Sequence, residues 1–201
     1  LDQGYIHCST NNHGSLFQCF WTWGENREGH VIHIAVTRSH TGSNISCSVD
    51  PSGMSITCVD HDYCAFAEEL EQIKLTLYFR SIFVIESYST KFYIMDIVKP
   101  DVVAFKKINQ TLVELGYPES WNTPFSYFPL IFQVKEIGCR KKKKCNCSRS
   151  RLTEAHITQS LKLHVSKGKT VCVRAKDEFC DSPWSDWNQY RFKRNQKQKK
   201  T

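Results

Sequence analysis

The sequence holds no apolar run near the roughly 18 residues that a membrane-spanning helix needs, and its longest candidate, KLTLYFRSIFVIES, is broken by charge. It also lacks any long apolar stripe at helical spacing, which argues against a helix bundle. There is no G-x-S-x-G, no H-E-x-x-H, no phosphate-cradling glycine loop and no carboxylate pair in a catalytic context, and the 8 histidines are scattered. Nucleophilic, zinc-hydrolase and nucleotide chemistry therefore have no carrier, and neither an enzyme nor a cofactor is expected. Paired C-x-x-C units are missing too; Cys139-x5-Cys145-x-Cys147 has no adjacent histidine and does not match a zinc site. The opening LDQGYIHCS has neither a basic region nor an apolar one and reads as a mature or truncated end.

What the chain does hold is cysteine, 10 in 201 residues, spread along its length. That usage fits disulfides formed in an oxidising compartment, and so a secreted protein. Three N-x-[ST] triplets, at Asn44, Asn109 and Asn146, are candidate glycosylation sites in the same setting. Formal net charge is +7, with the excess concentrated in CRKKKKCNCSRSR (Cys139 to Arg151) and RFKRNQKQKK (Arg191 to Lys200). Such clusters favour polyanions. Outside the cell that polyanion is heparan sulfate, with Arg140, Lys141, Lys142, Lys143 and Lys144 as the candidate contacts; the competing reading is a solvated loop and a frayed tail. Nucleic-acid binding conflicts with the cysteines and triplets.

A length of 201 residues fits two domains of about 100 each. DIVKPD (Asp96 to Asp101) marks the division, because proline cannot donate to a ladder and strands stop or start there. The expected domains are 1–97 and 98–201. In the first, strand-like runs cover Leu16 to Trp23, His30 to Thr37, Ser55 to Asp60, Ile73 to Ser81 and Thr90 to Val98. In the second they cover Thr111 to Tyr117, Ser126 to Ile137, Ser160 to Ser166, Thr170 to Asp177 and Asn188 to Arg194. Period-two alternation with frequent turn signals predicts an all-β chain of two tandem sandwiches. Ala65 to Ile73 suits either a short helix or an ordered loop. Cys8 with Cys19, and Cys47 with Cys58, each flank a turn-rich segment of hairpin length, so neighbouring strands stapled by these pairs are the simplest arrangement. Cys64 is left over. In the second half Cys139 to Cys172 is a candidate bridge from strand order, with the remaining pairing open.

Cys8, ten residues, then Cys19-Phe20-Trp21 resembles the signature of the cytokine-receptor homology module, and Trp184-Ser185-Asp186-Trp187-Asn188 resembles the W-S-x-W-S motif of its second fibronectin type III domain. The resemblance implies two fibronectin type III-like sandwiches and a ladder in which Arg174, and Arg191 or Lys193, lie between Trp184 and Trp187 as cation–π partners. Asn188 departs from the motif's last serine. Four further segments, DYCAFAEE, FYIMDIVKPD, YPESWNTPFSYFPLIF and VRAKDEFCDSPWSDW, resemble in order the family of beta subunits shared by interleukin-12 and interleukin-23. That family also carries an N-terminal immunoglobulin domain, for which the residues before Cys8 leave no room.

The closer resemblance implies a secreted, receptor-like subunit that clasps a four-helix-bundle alpha subunit at the elbow between its sandwiches and signals through class I cytokine receptor chains. Cys64 matches the cysteine that bonds the alpha subunit covalently, with Glu68 beside it. Tyr127, Asp177 and Phe179 match second-domain positions facing the same partner, Asp177 as acceptor for a partner arginine. Each has a plainer competing role: a corner tyrosine, a turn cap at Asp177, a solvated charge at Glu68. The alternative function is a soluble ectodomain of a class I cytokine receptor. Replacing Arg140 to Lys144 with serine is expected to lower the salt needed to elute the chain from a heparin column; unchanged elution would assign those five charges to solvent alone.

Overall fold

In a computed structural model of the chain the described residues are 5–22, 28–38, 44–122, 124, 127–138, 147, 148, 155–166 and 168–191. Two compact units form, Leu1–Lys99 with Cys180–Ser182, and Pro100–Phe179 with Pro183–Thr201. Among the described residues the fold is all-β apart from one 3₁₀ turn, Ile94–Ile97. No helix in them is long and apolar enough to cross a membrane.

The first unit is built from β1 (Ile6–Ser9), β2 (Leu16–Trp21), β3 (His30–Arg38), β4 (Ile45–Val49), β5 (Ser55–Asp60), β6 (Ile73–Arg80) and β7 (Ile85–Phe92). One sheet has the order β1-β2-β5-β4 and the other β3-β6-β7. Alternation along β2 sends Phe17, Cys19 and Trp21 inward and leaves Leu16, Gln18 and Phe20 exposed. Ile56 and Cys58 of β5 join them, and Ile73, Leu75 and Leu77 of β6 meet them from the second sheet to make one core. Each such large side chain, fully buried, contributes roughly 1.5–3 kcal/mol.

The second unit repeats the plan with β8 (Ala104–Lys107), β9 (Leu112–Gly116), β10 (Leu130–Ile137), β11 (His156–Thr158), β12 (Lys162–His164), β13 (Thr170–Asp177) and β14 (Asn188–Arg191). Its sheets are β12-β9-β8 and β11-β10-β13-β14. Val113, Leu115 and Leu163 are buried on the first, and Phe132, Val134, Val171, Val173 and Ala175 on the second. The buried Trp121 donates its indole N–H to the Phe128 carbonyl at 3.0 Å, while the Tyr117 hydroxyl accepts the Leu130 N–H at 3.1 Å. These two bonds fix the connection into β10.

Several expected strand limits are corrected. The last strand of the first unit is Ile85–Phe92 and not Thr90 to Val98. Beyond it the Tyr93 N–H donates to the Asp96 carboxylate at 3.2 Å, closing a turn. Ile94 and Ile97, three apart, are then both buried, a helical spacing that resembles alternation over so short a run. β10 begins at Leu130 and not Ser126, because the Tyr127 and Phe128 N–H groups turn back to the Pro124 carbonyl. Ala65 to Ile73 is an ordered loop and not a helix, entering β6 only at Ile73.

The disulfides of the first unit join residues directly opposite each other on neighbouring antiparallel strands. Cys8 faces Cys19 across β1 and β2, with Cα atoms 4.0 Å apart; Cys47 faces Cys58 across β4 and β5, with Cα atoms 4.1 Å apart. The short β1 and the exposed edge strand β4 are thereby tied to the interior pair β2–β5. In the second unit Cys172 is bonded to Cys147, which corrects the candidate partner Cys139. In the sheet register Cys172 lies opposite Lys135, inside β10 and away from its end; Cys139 itself lies outside the described residues. Replacing Cys47 and Cys58 together by serine is expected to cost about 3 kcal/mol, the chain-entropy value for a loop this short, read as a lower urea midpoint with an otherwise two-state transition.

Candidate functional site

Two arrangements of functional residues stand out, one in each unit. In the second, the outer face of the β10–β13–β14 sheet carries a stack of rings and cations. Arg174 of β13 places its guanidinium carbon 5.0 Å from the Trp184 ring centroid and 4.7 Å from that of Trp187, so it lies between them. The next cation on Trp187 is Lys135 of β10, with Nζ 4.5 Å from the ring centroid. The sequence had pointed to Arg191 or Lys193. Arg191 pairs opposite Thr170 at the exposed end of β14, and Lys193 lies outside the described residues. Lys135 went unread because only the register between β10 and β13 brings it to this face.

The stack is held in place by hydrogen bonds. Arg174 Nε donates to Gln133 Oε1 at 2.7 Å. Ser185 is buried; its N–H donates to the Ala175 carbonyl, its Oγ accepts the Ala175 N–H at 2.9 Å and donates to the Asp186 carbonyl at 3.1 Å. The chain between the two tryptophans therefore extends the edge of β13. Asn188 Nδ2 donates to the Val103 carbonyl at 2.8 Å, supplying a backbone bond where the motif's serine would stand. Trp187 also packs on the small cluster of Ile137, Cys147 and Cys172. Burial under the rings lowers the pKa of Arg174; burial, then the nearby Arg174 charge, lowers that of Lys135. The ladder is a brace.

In the first unit the loop 61–72 crosses from β5 in one sheet to β6 in the other. It carries Cys64, which is exposed and in no disulfide, and Glu68, which is exposed. The Tyr63 N–H returns to the Asp60 carbonyl and the Ala67 N–H to the Cys64 carbonyl, so the thiol opens a tight turn. Tyr63 packs against the core, where burial, with the negative charge of Glu69, pushes its phenol pKa up. Both ends of the crossover meet Arg38 at the end of β3. Its Nε and Nη2 donate to Asp60 Oδ2 at 2.8 and 2.6 Å, Nη1 to the Glu71 carbonyl at 2.7 Å, and Nη2 to Glu69 Oε1 at 3.3 Å.

The Asp60 side chain is 0% exposed and that of Glu69 6%. Glu69 also accepts the Ile94 N–H, at 2.9 Å to Oε2, which ties the loop to the 3₁₀ turn. Burial raises the Glu69 pKa, and the Ile94 N–H and Arg38 pull it down without overcoming that. Burial opposes the charge of Arg38 too, but there the hydrogen bonds and attraction of Asp60, then Glu69, win and raise its pKa. No sequence signal singles out this trio, since its members are 22 and 31 residues apart.

Of the second-unit candidates, Tyr127 and Phe179 are exposed, 65% and 74%. Their loops touch through the Glu178 N–H and the Pro129 carbonyl. Asp177 departs from expectation: it is 1% exposed, and its Oδ1 accepts the Phe179 N–H at 2.8 Å. It is the buried cap of the turn that projects Phe179, not an open acceptor for a partner arginine. Asn44 and Asn109 are exposed, Asn109 in an Asx turn that accepts the Thr111 and Leu112 N–H groups. Asn146 and Arg140 to Lys144 lie outside the described residues.

Comparison with known proteins bears out the resemblance. The family described as cytokine interleukin-12p40 C-terminus matches residues 3–81. Interleukin-12 subunit beta of Sigmodon hispidus is 30% identical over 201 residues, 91% of this chain and 59% of that protein. That of Mesocricetus auratus is 29% identical, over 91% of this chain and 59% of that protein. The Homo sapiens protein is 26% identical, over 91% and 60%. The chain thus spans about three fifths of the length of the curated relatives it matches. These names denote cytokine subunits and not enzymes.

Replacing Arg174 with methionine keeps the stem and removes the charge from between both rings. The expected loss is about 1–3 kcal/mol of stability, seen as a lower melting temperature, with the reactivity of Cys64 toward a small disulfide unchanged.

Proposed function

We propose that the chain is a secreted, receptor-like cytokine subunit that binds a four-helix-bundle alpha subunit, with Cys64 as the covalent link. The observation that carries this reading is Cys64 itself. Cys8, Cys19, Cys47 and Cys58 are committed to cross-strand bridges and Cys180, outside any disulfide too, is half-buried, whereas Cys64 is exposed on a loop pinned at both ends, in a chain similar to interleukin-12 subunit beta over about nine tenths of its length. An exposed thiol in an oxidising compartment finds a partner. Glu68 on the same loop, and Tyr127 and Phe179 in the second unit, are the noncovalent contacts. Asp177 acts through the turn that projects Phe179. The assembled cytokine signals through class I receptor chains, and the basic run from Arg140 to Lys144 holds it on heparan sulfate.

The alpha subunit's own noncovalent surface should be of standard size, about 1,600 Å² in total, so the covalent bond is not needed for association. Co-secretion of the chain with helical alpha subunits should give a heterodimer that survives non-reducing electrophoresis. Cys64→Ser should leave the pair associated in solution and separable on the same gel. A band that persists unreduced in that variant would move the link to another cysteine. No association with any helical subunit would favour the soluble receptor-ectodomain reading.

A further inference from the structure

The turn between β8 and β9 is organised around one carboxamide. Asn109 Oδ1 accepts the Thr111 N–H and the Leu112 N–H, each at 2.8 Å, and lies 3.4 Å from Thr111 Oγ1. Two backbone donors on one atom fix which end of the amide is oxygen. The rest of the turn is bound as well. The Ile108 and Asn109 N–H groups donate to the Leu112 carbonyl at 3.1 and 3.2 Å, and the Thr111 carbonyl accepts the N–H of Val165, just past β12, at 2.8 Å. Asn109 is exposed, and its Nδ2 has no partner among the described residues. The side chain is divided: its oxygen serves the fold and its nitrogen does not. Asn109-Gln110-Thr111 is also an N-x-[ST] triplet, and Nδ2 is the atom to which an N-linked sugar bonds. At Asn44 that nitrogen is engaged, donating to Asp62 Oδ1 at 3.5 Å; Asn109 can take a sugar with every bond of its turn kept.

We propose that Asn109 carries an N-linked oligosaccharide whose stem is held by the β8–β9 turn. The inference rests on the secreted reading above, because the donor, a lipid-linked oligosaccharide diphosphate, is met on the secretory route. In the transfer the bond between the sugar's anomeric carbon and the diphosphate oxygen breaks, and a bond from that carbon to Nδ2 forms. The diphosphate leaves with the electron pair and takes up one of the two Nδ2 protons. Oδ1 and the remaining N–H are untouched, so the Asx turn persists beneath the sugar. β9 runs from Leu112, beside this turn, to Gly116, about 13 Å further at the rise of a strand. Tyr117, next in the chain, accepts the Leu130 N–H, and Leu130 faces Asp177, so Tyr127 and Phe179 lie toward that far end. The sugar leaves the second unit at the end opposite to them.

Two measurements test it. The chain secreted by animal cells is treated with a glycosidase that removes N-linked sugar and leaves aspartate at the attachment site, and the tryptic peptide from Ile108 to Lys135 is analysed by mass. Aspartate is expected at position 109 after treatment and not before it, and Thr111→Ala should abolish the change. A secreted chain that keeps asparagine there overturns the site and leaves secretion standing; a chain retained in the cell without sugar overturns both. Aspartate that appears without the enzyme, or persists in Thr111→Ala, is deamidation and equally overturns the site. The division of the side chain is read on two variants that cannot carry the sugar. Asn109→Asp keeps an oxygen for the Thr111 and Leu112 N–H groups, while Asn109→Ala does not, so the aspartate variant is expected to unfold at the higher urea concentration. Equal midpoints would show that Oδ1 does not hold the turn.

Discussion

A seven-strand sandwich of about 100 residues has one scarce resource, the inner faces of its two sheets, and side chains can reach them only at every second position. In both units these faces are filled by apolar and aromatic groups, from Phe17, Trp21 and Leu75 in the first to Phe132, Val134 and Val173 in the second. The two hairpin disulfides share these faces, Cys19 and Cys58 being in the core, and hold a short strand and an edge strand. Other tasks fall to outer faces and crossovers: the ring-and-cation stack covers an outer face, and the thiol and exposed aromatics sit in loops. An edge such as β4 is a liability in any open sheet. Its bridge to β5 keeps it paired and anchors it to the core, where Cys58 is fully buried.

The same division explains what could be read from the sequence. Cross-strand cysteines 11 residues apart across a turn declare their own register, and Trp184-Ser185-Asp186-Trp187 is a local motif. Both are short-range patterns. Lys135 and the Cys147–Cys172 bridge depend on how β10 lies on β13, a register between strands separated by a long connection, which no window of sequence reveals. Arg38, Asp60 and Glu69 are hidden for the same reason. At Asp177 the competing turn-cap reading is the one the structure shows; its place on the inward side of β13, with Val173 and Ala175, is a matter of parity along the strand. The Ile94–Ile97 turn was missed because buried residues two and three apart cannot be told from a strand end over five residues.

The two arginines show why a cation's setting decides its role. Arg174 spreads its planar guanidinium between two indoles on an outer face, keeping part of its hydration while its faces shield aromatic surface; such contacts are worth about 0.5–2 kcal/mol each. Arg38 works under the opposite terms. Taking two carboxylates and a guanidinium out of water costs several kcal/mol per ion, and replacing a buried ion cluster by well-packed apolar groups is often neutral or stabilising. Stability alone is therefore a poor account of the trio at the end of β3. What apolar packing cannot supply is direction: four donor contacts to three acceptors on β5 and the crossover, with Glu69 passing the constraint on to the 3₁₀ turn. A loop fixed in this way keeps the turn that Cys64 opens at one place on the surface.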